Sequence, residues 1–529
     1  MRIHPVWIAL CLALLSSQVY AQETPTIKFE GAVPEGPENF FFLPFEVPEG
    51  IVEVEVRHFN LTPGNTLDWG LDDPNGFRGW GGGKGQPGLV GLEAALPSYI
   101  PGPIPAGTWE VVVGKANIVD TPAQYAVDIY LRTEPTLEPQ PRSPYQDPGV
   151  LNPEARWYAG DFHVHTRQSE GPPSIRETLE FAEGVGLDFI MLSEHNTNSG
   201  LTLYGDLQPD FPNLLLVPGV EWTTYSGHAN AIGAIEWVDF KVGIGGVTVE
   251  GAIEAYQDQG ALFSINHPTV PGGNFCIGCP WEYDVDPTTV DGLEVMGGIW
   301  DATDFWEAMC AEGSHATAVG GSDDHQAGQG SGVLYSPIGM PTTMVYAENL
   351  SVDAIMEGVR SGRVVIKVDS PNAPMLETEL SGERVGDTVF ADAATLSVVV
   401  TGAMGNSLRV IKNGAVIETV EITNDPFTHE TSVEAPAEGE DRYRHQVTLG
   451  ITPLTIGSYV WLRAPVEIPD GGVPDGGAPD GGAPDGGTGS GESSGGCNCR
   501  VATASDYDTG LIFAVLALGV ATWRRRRAT

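Results

Sequence analysis

Basic residues are scarce in this chain of 529 residues. Its 26 lysines and arginines stand against 70 aspartates and glutamates, so the formal net charge is −44. A field of this sign repels polyanions, and we therefore expect no nucleic-acid partner. Most of the carboxylates are expected to form a solvated, solubilising surface.

Long apolar runs are scarce as well. The N-terminal run from Val6 to Leu15 is too short to span a bilayer. It follows Arg2 and precedes Val19-Tyr20-Ala21, which is the pattern of an export signal. We therefore predict a signal peptide over residues 1–21, cleaved after Ala21.

Cysteine is rare, with six in the chain. Cys11 belongs to the signal, and two others lie near the C-terminus. In an oxidising compartment, two of the remaining three (Cys276, Cys279 and Cys310) are expected to pair, with the pairing left open. Cys276-Ile277-Gly278-Cys279 also has a zinc-like spacing, but no second such motif follows, so a disulfide in an active-site loop is favoured.

The C-terminal segment has the composition of a tether followed by a short anchor. A Pro-Asp-Gly-Gly unit that begins at Pro469 repeats within residues 466–496, which cannot form a packed core. Residues 497–529 contain Cys497-Asn498-Cys499, an apolar run from Leu511 to Trp523, and an arginine cluster. This order resembles the MYXO-CTERM sorting tail, which implies export and sorting machinery and attachment to the cell surface. A plain membrane anchor is the alternative, and both place the protein outside the cytoplasm.

Two β-rich segments flank a mixed segment. Residues 22–135 alternate apolar and polar positions between Pro/Gly turns, which predicts a jelly-roll-like β-sandwich. Its rings Trp69, Trp80 and Tyr99 are more often core than a carbohydrate platform. A proline-rich linker is predicted over 136–155. Residues 371–465, with the hairpin signal Asn413-Gly414, predict a second sandwich with a structural role.

The central segment, residues 156–370, alternates strand-like and helix-like stretches. Ser174 and Glu177 form a capping box for a helix that runs to Gly184. Further helices are expected over 249–259 and 351–359. Alternating β and α units predict a parallel sheet, most simply a barrel.

Ionisable residues gather where the predicted strands end, and the rim of a parallel barrel would bring these ends together. The segments are DFHVHT ending at Thr166, SEHN ending at Asn196, PGVEW ending at Trp222, GHAN ending at Asn230, NHP ending at Pro268 and GGSDDH ending at His325. Positions i and i+2 of a strand share a side, so His163 and His165 can reach one metal, and Asp323 and His325 can hold two neighbouring ions. Imidazole and carboxylate together suit zinc, manganese or iron.

In this order the six segments resemble the PHP (polymerase and histidinol phosphatase) superfamily over residues 157–369, and most of all its CehA/McbA-like branch. The resemblance implies a distorted (β/α)7 barrel with two or three divalent ions. It implies one ion held by His163, His165, Glu221 and Asp323, a second by Glu221, His228 and His267, and a third by His195 and His325 with Glu170. Glu194 and Glu170 stand where the family usually carries aspartate, so this chain departs from the family pattern at the third ion.

Several other residues are candidates for supporting roles. Arg167, just past His165, could grip an anionic substrate, with a solvated surface residue as the equal alternative. Asn196, Asn266 and Asp324 could orient the metal ligands. His315 lies before the last strand of the set and could donate a proton, although packing is the more common role of such a residue.

The ligand set predicts a hydrolase of a small-molecule ester. The export signal and the C-terminal segment predict that it is secreted or attached to the cell surface. A water between two cations becomes a hydroxide nucleophile near neutral pH. We favour a phosphoesterase. The alternatives are a carboxyl-ester or carbamate hydrolase on the same ligands, and a non-catalytic surface protein that binds ligands through its sandwiches.

Overall fold

The computed structural model describes residues 23–273 and 275–465. The predicted signal peptide, the tether, the sorting tail and their three cysteines lie outside these described residues. Within the described part of the chain, no helix is long and apolar enough to cross a membrane.

The N-terminal strands form two four-stranded antiparallel sheets, in the orders β1-β8-β3-β6 and β2-β7-β4-β5. The strands are β1 (Ile27–Ala32), β2 (Phe40–Val47), β3 (Glu53–Asn60), β4 (Thr66–Asp73), β5 (Gly76–Gly82), β6 (Gly88–Gly91), β7 (Gly107–Asn117) and β8 (Gln124–Arg132). Val54 and Val127 of the first sheet share a buried cluster with Trp109 and Val111 of the second. The alternation in the sequence thus produces the inner faces of a sandwich.

The aromatic rings of this sandwich are buried. Trp69, Trp80 and Tyr99 are 2%, 5% and 3% exposed. Trp69 stacks on His58 at a centroid distance of 4.6 Å. These rings are therefore packed in the interior, and they form no exposed platform of the kind that binds carbohydrate.

The central segment contains strands in two sheets with helices between them. Its strands are β9 (Arg156–Asp161), β10 (Phe189–Met191), β11 (Leu215–Val217), β12 (Gly219–Thr224), β13 (Gly227–Ile232), β14 (Leu262–Ile265), β15 (Gly292–Gly297), β16 (Trp300–Asp301), β17 (Thr317–Gly321), β18 (Thr342–Ala347) and β19 (Val364–Lys367). Its α-helices are α1 (Ile175–Gly184), α2 (Leu201–Leu207), α3 (Val249–Asp258), α4 (Thr303–Ala311) and α5 (Val352–Arg360). The capping box of Ser174 and Glu177 is present at the start of α1, as predicted.

The strand pairing is mixed rather than uniformly parallel. Parallel pairs join β9 to β10, β10 to β11, β14 to β15, and β15 to β17. Antiparallel pairs join β12 to β13, β13 to β14, and β18 to both β9 and β19. The prediction of a wholly parallel sheet was wrong here because Gly227 and the turn before it fold the GHAN segment back as a hairpin. The closed (β/α)7 barrel stays a prediction.

The ten C-terminal strands divide between two sheets: six extend the sheet that contains β9 and β19, and four form a separate antiparallel sheet. The ten strands are β20 (Met375–Leu380), β21 (Glu383–Arg384), β22 (Thr388–Phe390), β23 (Ala393–Thr401), β24 (Ser407–Lys412), β25 (Ala415–Glu421), β26 (Phe427–Glu434), β27 (Asp441–Leu449), β28 (Thr452–Gly457) and β29 (Val460–Arg463). Strand β28 pairs with β19, so hydrogen bonds continue across the domain boundary predicted at 370. Asn413 and Gly414 have φ values of 50° and 81° and form the predicted hairpin turn between β24 and β25.

Candidate metal centre

The ends of four strands and one hairpin bring the sequence motifs together. His163 and His165 follow β9, His195 follows β10, His267 follows β14, and Asp323 and His325 follow β17, while Glu221 and His228 lie within the β12–β13 hairpin. Isolated parallel bridges join Val164 to Asp324 and His195 to Glu221. The backbone bends sharply at two of the candidate ligands, because His267 and Asp323 have φ values of 26° and 55°. Such conformations are concentrated at functional sites.

Glu221 lies at the centre of this cluster and is fully buried. Its two carboxylate oxygens are surrounded by five imidazole nitrogens: His163 Nε2 at 3.4 Å, His228 Nδ1 at 3.3 Å and His267 Nε2 at 3.4 Å from Oε1, and His165 Nε2 at 3.4 Å and His195 Nδ1 at 2.8 Å from Oε2. Two atoms that each bind one ion at about 2.1 Å with tetrahedral geometry lie about 3.4 Å apart. Most of the spacings around Glu221 are therefore those of ligands that share an ion.

Asp323 is the second carboxylate of the cluster. Its Oδ1 lies 3.4 Å from His163 Nε2 and 3.2 Å from His165 Nε2. Glu170 lies at the outer edge, where its Oε1 is 2.9 Å from His195 Nε2 and 3.4 Å from the Nε2 atom of His325. The members of each of the three ligand sets that the family resemblance implies thus lie close together. The third set includes Glu170, which is exposed.

Acceptor groups fix the protonated nitrogen of three of these imidazoles. Glu294 Oε2 lies 2.7 Å from His163 Nδ1, the Ile277 carbonyl 2.8 Å from His228 Nε2, and the Asp323 carbonyl 2.9 Å from His325 Nδ1. A carbonyl oxygen only accepts, so the nitrogen that faces it carries the hydrogen. The other nitrogen of each ring then presents a lone pair toward the cluster, as a metal ligand must.

Several of these inward-facing atoms make no hydrogen bond within the described residues. They are His163 Nε2, His165 Nε2, His228 Nδ1 and Glu221 Oε2, all buried. An unsatisfied buried polar atom destabilises a fold by about 1–3 kcal/mol. Four such atoms aimed at one small volume fit bound cations, which would satisfy all of them together.

The pKa shifts differ among the members of the cluster: burial opposes protonation of His163 and His195, but the charge of Glu221 raises the pKa of both imidazoles well above their ordinary value. Burial, assisted by repulsion from His325 and His195, lowers the pKa of His165 to about 3. Burial disfavours the ionised form of Glu221, but the neighbouring His195 and His163 hold the pKa of this carboxylate well below its usual value. His165 and Glu221 are thus in the protonation state that binds a metal ion.

Side chains around the cluster hold the candidate ligands in place. Asn266 Nδ2 donates to Glu221 Oε1 at 3.0 Å. Glu194, in the position where the family carries aspartate, does not face the centre but accepts a hydrogen bond from the Thr166 amide at 3.2 Å. Asn196 accepts from the Thr223 amide at 2.8 Å. These residues orient ligand-bearing segments rather than contact a metal position.

Sequence reasoning missed Glu294. This carboxylate is 1% exposed, on β15, and accepts from the ring of His163. A signal was present, since Glu294 is the one charged residue of the strand Gly292–Gly297, whose six residues are all buried. Buried carboxylates rarely occur without a partner.

Two glycines allow close approach to the ligands. A Cβ on Gly321 would lie 2.4 Å from the Cβ of His163. A Cβ on Gly278, whose φ is 97°, would lie 2.7 Å from His228 Nε2. Gly278 stands between Cys276 and Cys279, which form a disulfide, whereas Cys310 is free and buried. Two of the three cysteines are thus paired, as expected, and the pairing that the sequence left open is Cys276 with Cys279, in a loop that covers His228.

The side chains of Arg167, Asp324 and His315, which were predicted to have supporting roles, make no hydrogen bond or ion pair with the candidate ligands among the described residues. Arg167 is half exposed, with its guanidinium 3.6 Å from Glu177, and it does not line the cavity above the cluster. Asp324 is buried and accepts from the amides of Gln326 and Gly328, both at 2.6 Å, so it shapes its own loop. None of the three meets the cluster as a proton donor or an anion ligand.

His315 lies at the far end of β17 from Asp323. Its ring stacks on Trp461 at 4.2 Å, and its Nε2 lies 2.7 Å from Glu440 Oε1. Position before a strand, rather than after it, explains why its side chain is remote from the strand-end motifs. We expect His315→Ala to keep kcat/KM within about twofold of the wild type, because substitutions outside such a site have small effects. A steady-state assay on an aryl phosphate checks this, and a loss above tenfold would support a role for His315 in the reaction.

Comparisons with known proteins find similarity to several solved structures. No protein-family model matches the chain, and no curated protein matches it. Among solved structures, a two-domain protein from Bacteroides vulgatus that contains a PHP-like metal-dependent phosphoesterase is 19% identical, with 61% of this chain and 99% of that chain covered and a TM-score of 0.34. A protein assigned as a metal-dependent phosphoesterase from Bifidobacterium adolescentis is 17% identical over 34% of this chain and 92% of that chain, with a TM-score of 0.24. An amidohydrolase from Chromobacterium violaceum is 15% identical over 34% and 93%, also with a TM-score of 0.24.

Proposed function

We propose that this chain is a PHP-type metal-dependent hydrolase, and that it cleaves phosphoesters. The observation that carries the proposal is the set of buried, unpaired imidazole and carboxylate atoms around Glu221. Three of the rings are held by acceptors on their outer nitrogens, so that their lone pairs face inward. In a packed core without a metal ion these buried polar atoms would stay unsatisfied, which destabilises a fold.

The candidate ligands would bind up to three divalent ions. His163, His165, Glu221 and Asp323 would hold one divalent ion, and His228 and His267 would hold a second together with Glu221. His195, His325 and Glu170 would hold a third. When bound, zinc, manganese or iron would supply an acidic water and would neutralise charge on an ester oxygen. Asn266 and Glu294 keep Glu221 and His163 aimed inward while this happens.

The experiment compares the metal-loaded wild type with His163→Ala on aryl phosphates, aryl carboxyl esters and aryl carbamates. The proposal expects the phosphates to be cleaved fastest by the wild type, with the activity lost in the variant. His445→Ala is a matched control, since His445 is also fully buried with an unpaired Nε2 but lies in the C-terminal domain. Faster turnover of esters or carbamates would reassign the substrate. Absence of turnover throughout would favour a ligand-binding protein.

We also propose that the protein works outside the cytoplasm. The export-signal pattern in residues 1–21 supports this, as does the paired state of Cys276 and Cys279. Fractionation of the native host, followed by detection of the chain, tests the location. Recovery of the unprocessed protein in the cytoplasm would contradict it.

A further inference from the structure

A cavity of about 630 Å³ opens above the cluster of candidate metal ligands, and two domains line it. The central domain contributes His195, His228, His267, Asp323 and His325. The N-terminal sandwich contributes Thr66, Asp68, Trp80, Gly82, Gly83 and Lys84. Part of the candidate active site is thus made by a domain that the sequence presents only as an accessory sandwich.

The side of the cavity that the sandwich forms is packed tightly against the central domain. Phe77 stacks on Trp237 at 4.3 Å, and Trp80 packs edge-on against Phe240 at 4.8 Å. The Tyr225 hydroxyl, on the β12–β13 hairpin, donates to Asp68 Oδ2 at 2.7 Å. The hairpin that carries Glu221 and His228 is therefore tied to strand β4 of the sandwich, and the wall keeps a fixed position relative to the cluster.

Lys84 is the one lysine or arginine among the residues that line this cavity. Its Nζ donates to Ser98 Oγ at 3.0 Å and to the Arg167 carbonyl at 2.9 Å. Both partners are neutral oxygens, and an ammonium has three hydrogens to donate. Within the described residues, Lys84 forms no ion pair, although it is partly buried. Burial lowers the pKa of its ammonium to about 8, although the charges of Glu194 and Glu170 act in the opposite direction.

Apolar surface fills much of the remaining wall. Trp80 and Ile299 line the cavity, as do Phe275 and Trp300, whose rings pack at 6.1 Å. A substrate with an apolar body would fit between these rings and the cluster. A substrate group that reaches the sandwich side would meet the ammonium of Lys84.

We propose that the N-terminal sandwich is a specificity domain, in which Lys84 binds an anionic group, carboxylate or phosphate, on the substrate side opposite the cleaved ester. The inference rests on the proposed phosphoesterase function and narrows its substrate to an apolar phosphoester with a second negative charge. A charge-assisted hydrogen bond of this kind changes binding by roughly 10- to 100-fold. Asp68 also lines the cavity, but among the described residues it forms no ion pair with Lys84, and its Oδ2 accepts from the Tyr225 hydroxyl.

The test uses 4-carboxyphenyl phosphate and its neutral counterpart, 4-carbamoylphenyl phosphate. We expect the metal-loaded wild type to favour the carboxylate by roughly tenfold or more in kcat/KM. Lys84→Met should bring this ratio close to one, and Lys84→Arg should keep part of it. Lys115→Met is the matched control and should keep the wild-type ratio, since Lys115 also donates to two neutral oxygens of the sandwich, those of Pro34 and Gly36, outside the cavity.

Other outcomes overturn the inference in distinguishable ways. A wild type that cleaves both phosphates without preference refutes the anion subsite and leaves the phosphoesterase standing. A Lys84→Met variant that slows both substrates equally, with a lower Tm, makes Lys84 a clamp between domains. If neither phosphate is cleaved, the proposed function fails. Calorimetry with 4-carboxybenzyl and 4-carbamoylbenzyl phosphonate then decides the subsite, because equal affinities refute it and a preference that Lys84→Met abolishes supports it.

Discussion

Replacing Glu221 by glutamine is expected to remove bound metal and to lower kcat/KM by on the order of 1000-fold. Five imidazoles lie within 3.4 Å of the oxygens of this carboxylate, and Glu221 is the one residue that belongs to both the first and the second set of candidate ligands. An amide keeps the shape of the side chain but lacks the charge that offsets two cations. The effect should therefore exceed the 10- to 100-fold that groups outside the ligand shell contribute.

The measurement for Glu221→Gln is metal content by elemental analysis together with steady-state kinetics. His445→Ala, a buried substitution outside the cluster, should retain the wild-type metal content and rate. A Glu221→Gln protein that is folded, keeps every ion and retains more than a tenth of the wild-type rate would refute a central role for this carboxylate.

Glu294→Gln is expected to weaken metal binding by roughly 10- to 100-fold. Glu294 lies 2.7 Å from His163 Nδ1 and is fully buried with it, so its charge raises the electron density that the Nε2 atom offers to a cation. Glutamine can still accept the hydrogen bond, so the fold should persist while affinity falls. Competition with a chelator at fixed pH measures the affinity directly, apart from any change in turnover.

The chain offers a matched control for this second variant. His315 and Glu440 form another imidazole–carboxylate pair at the same distance of 2.7 Å, remote from the cluster. Glu440→Gln removes an equivalent charge and should leave metal affinity unchanged. Equal metal affinities in Glu294→Gln and Glu440→Gln would show that the bond to His163 is only structural.

The candidate ligands could be identified from the sequence because each is local to a strand end. The i and i+2 spacing of His163 and His165 does not depend on the direction of the neighbouring strands. The capping box at Ser174 is equally local, since both partners lie within four residues. Patterns confined to one element survive errors in the predicted topology, and for this reason the motifs converge although β12 and β13 are antiparallel.

What the sequence could not supply depends on long-range contacts. Lys84 reaches the cavity only because aromatic packing docks the sandwich on the β12–β13 hairpin, and no spacing in the chain encodes that contact. The hydrogen bond between Glu294 and His163 joins residues 131 positions apart. The role predicted for Arg167 assumed that its side chain continues toward the rim, whereas the chain turns and pairs it with Glu177.

The central claim is that the cluster around Glu221 binds divalent cations. Anomalous diffraction from a crystal of the protein soaked in Mn²⁺ or Zn²⁺ tests it most directly. The account predicts two or three anomalous peaks, each within about 2.0–2.2 Å of nitrogen or oxygen atoms of the candidate ligands. Full soaking with no peak inside the cluster, and with protonated imidazoles hydrogen-bonded to Glu221 and Asp323 instead, would contradict it.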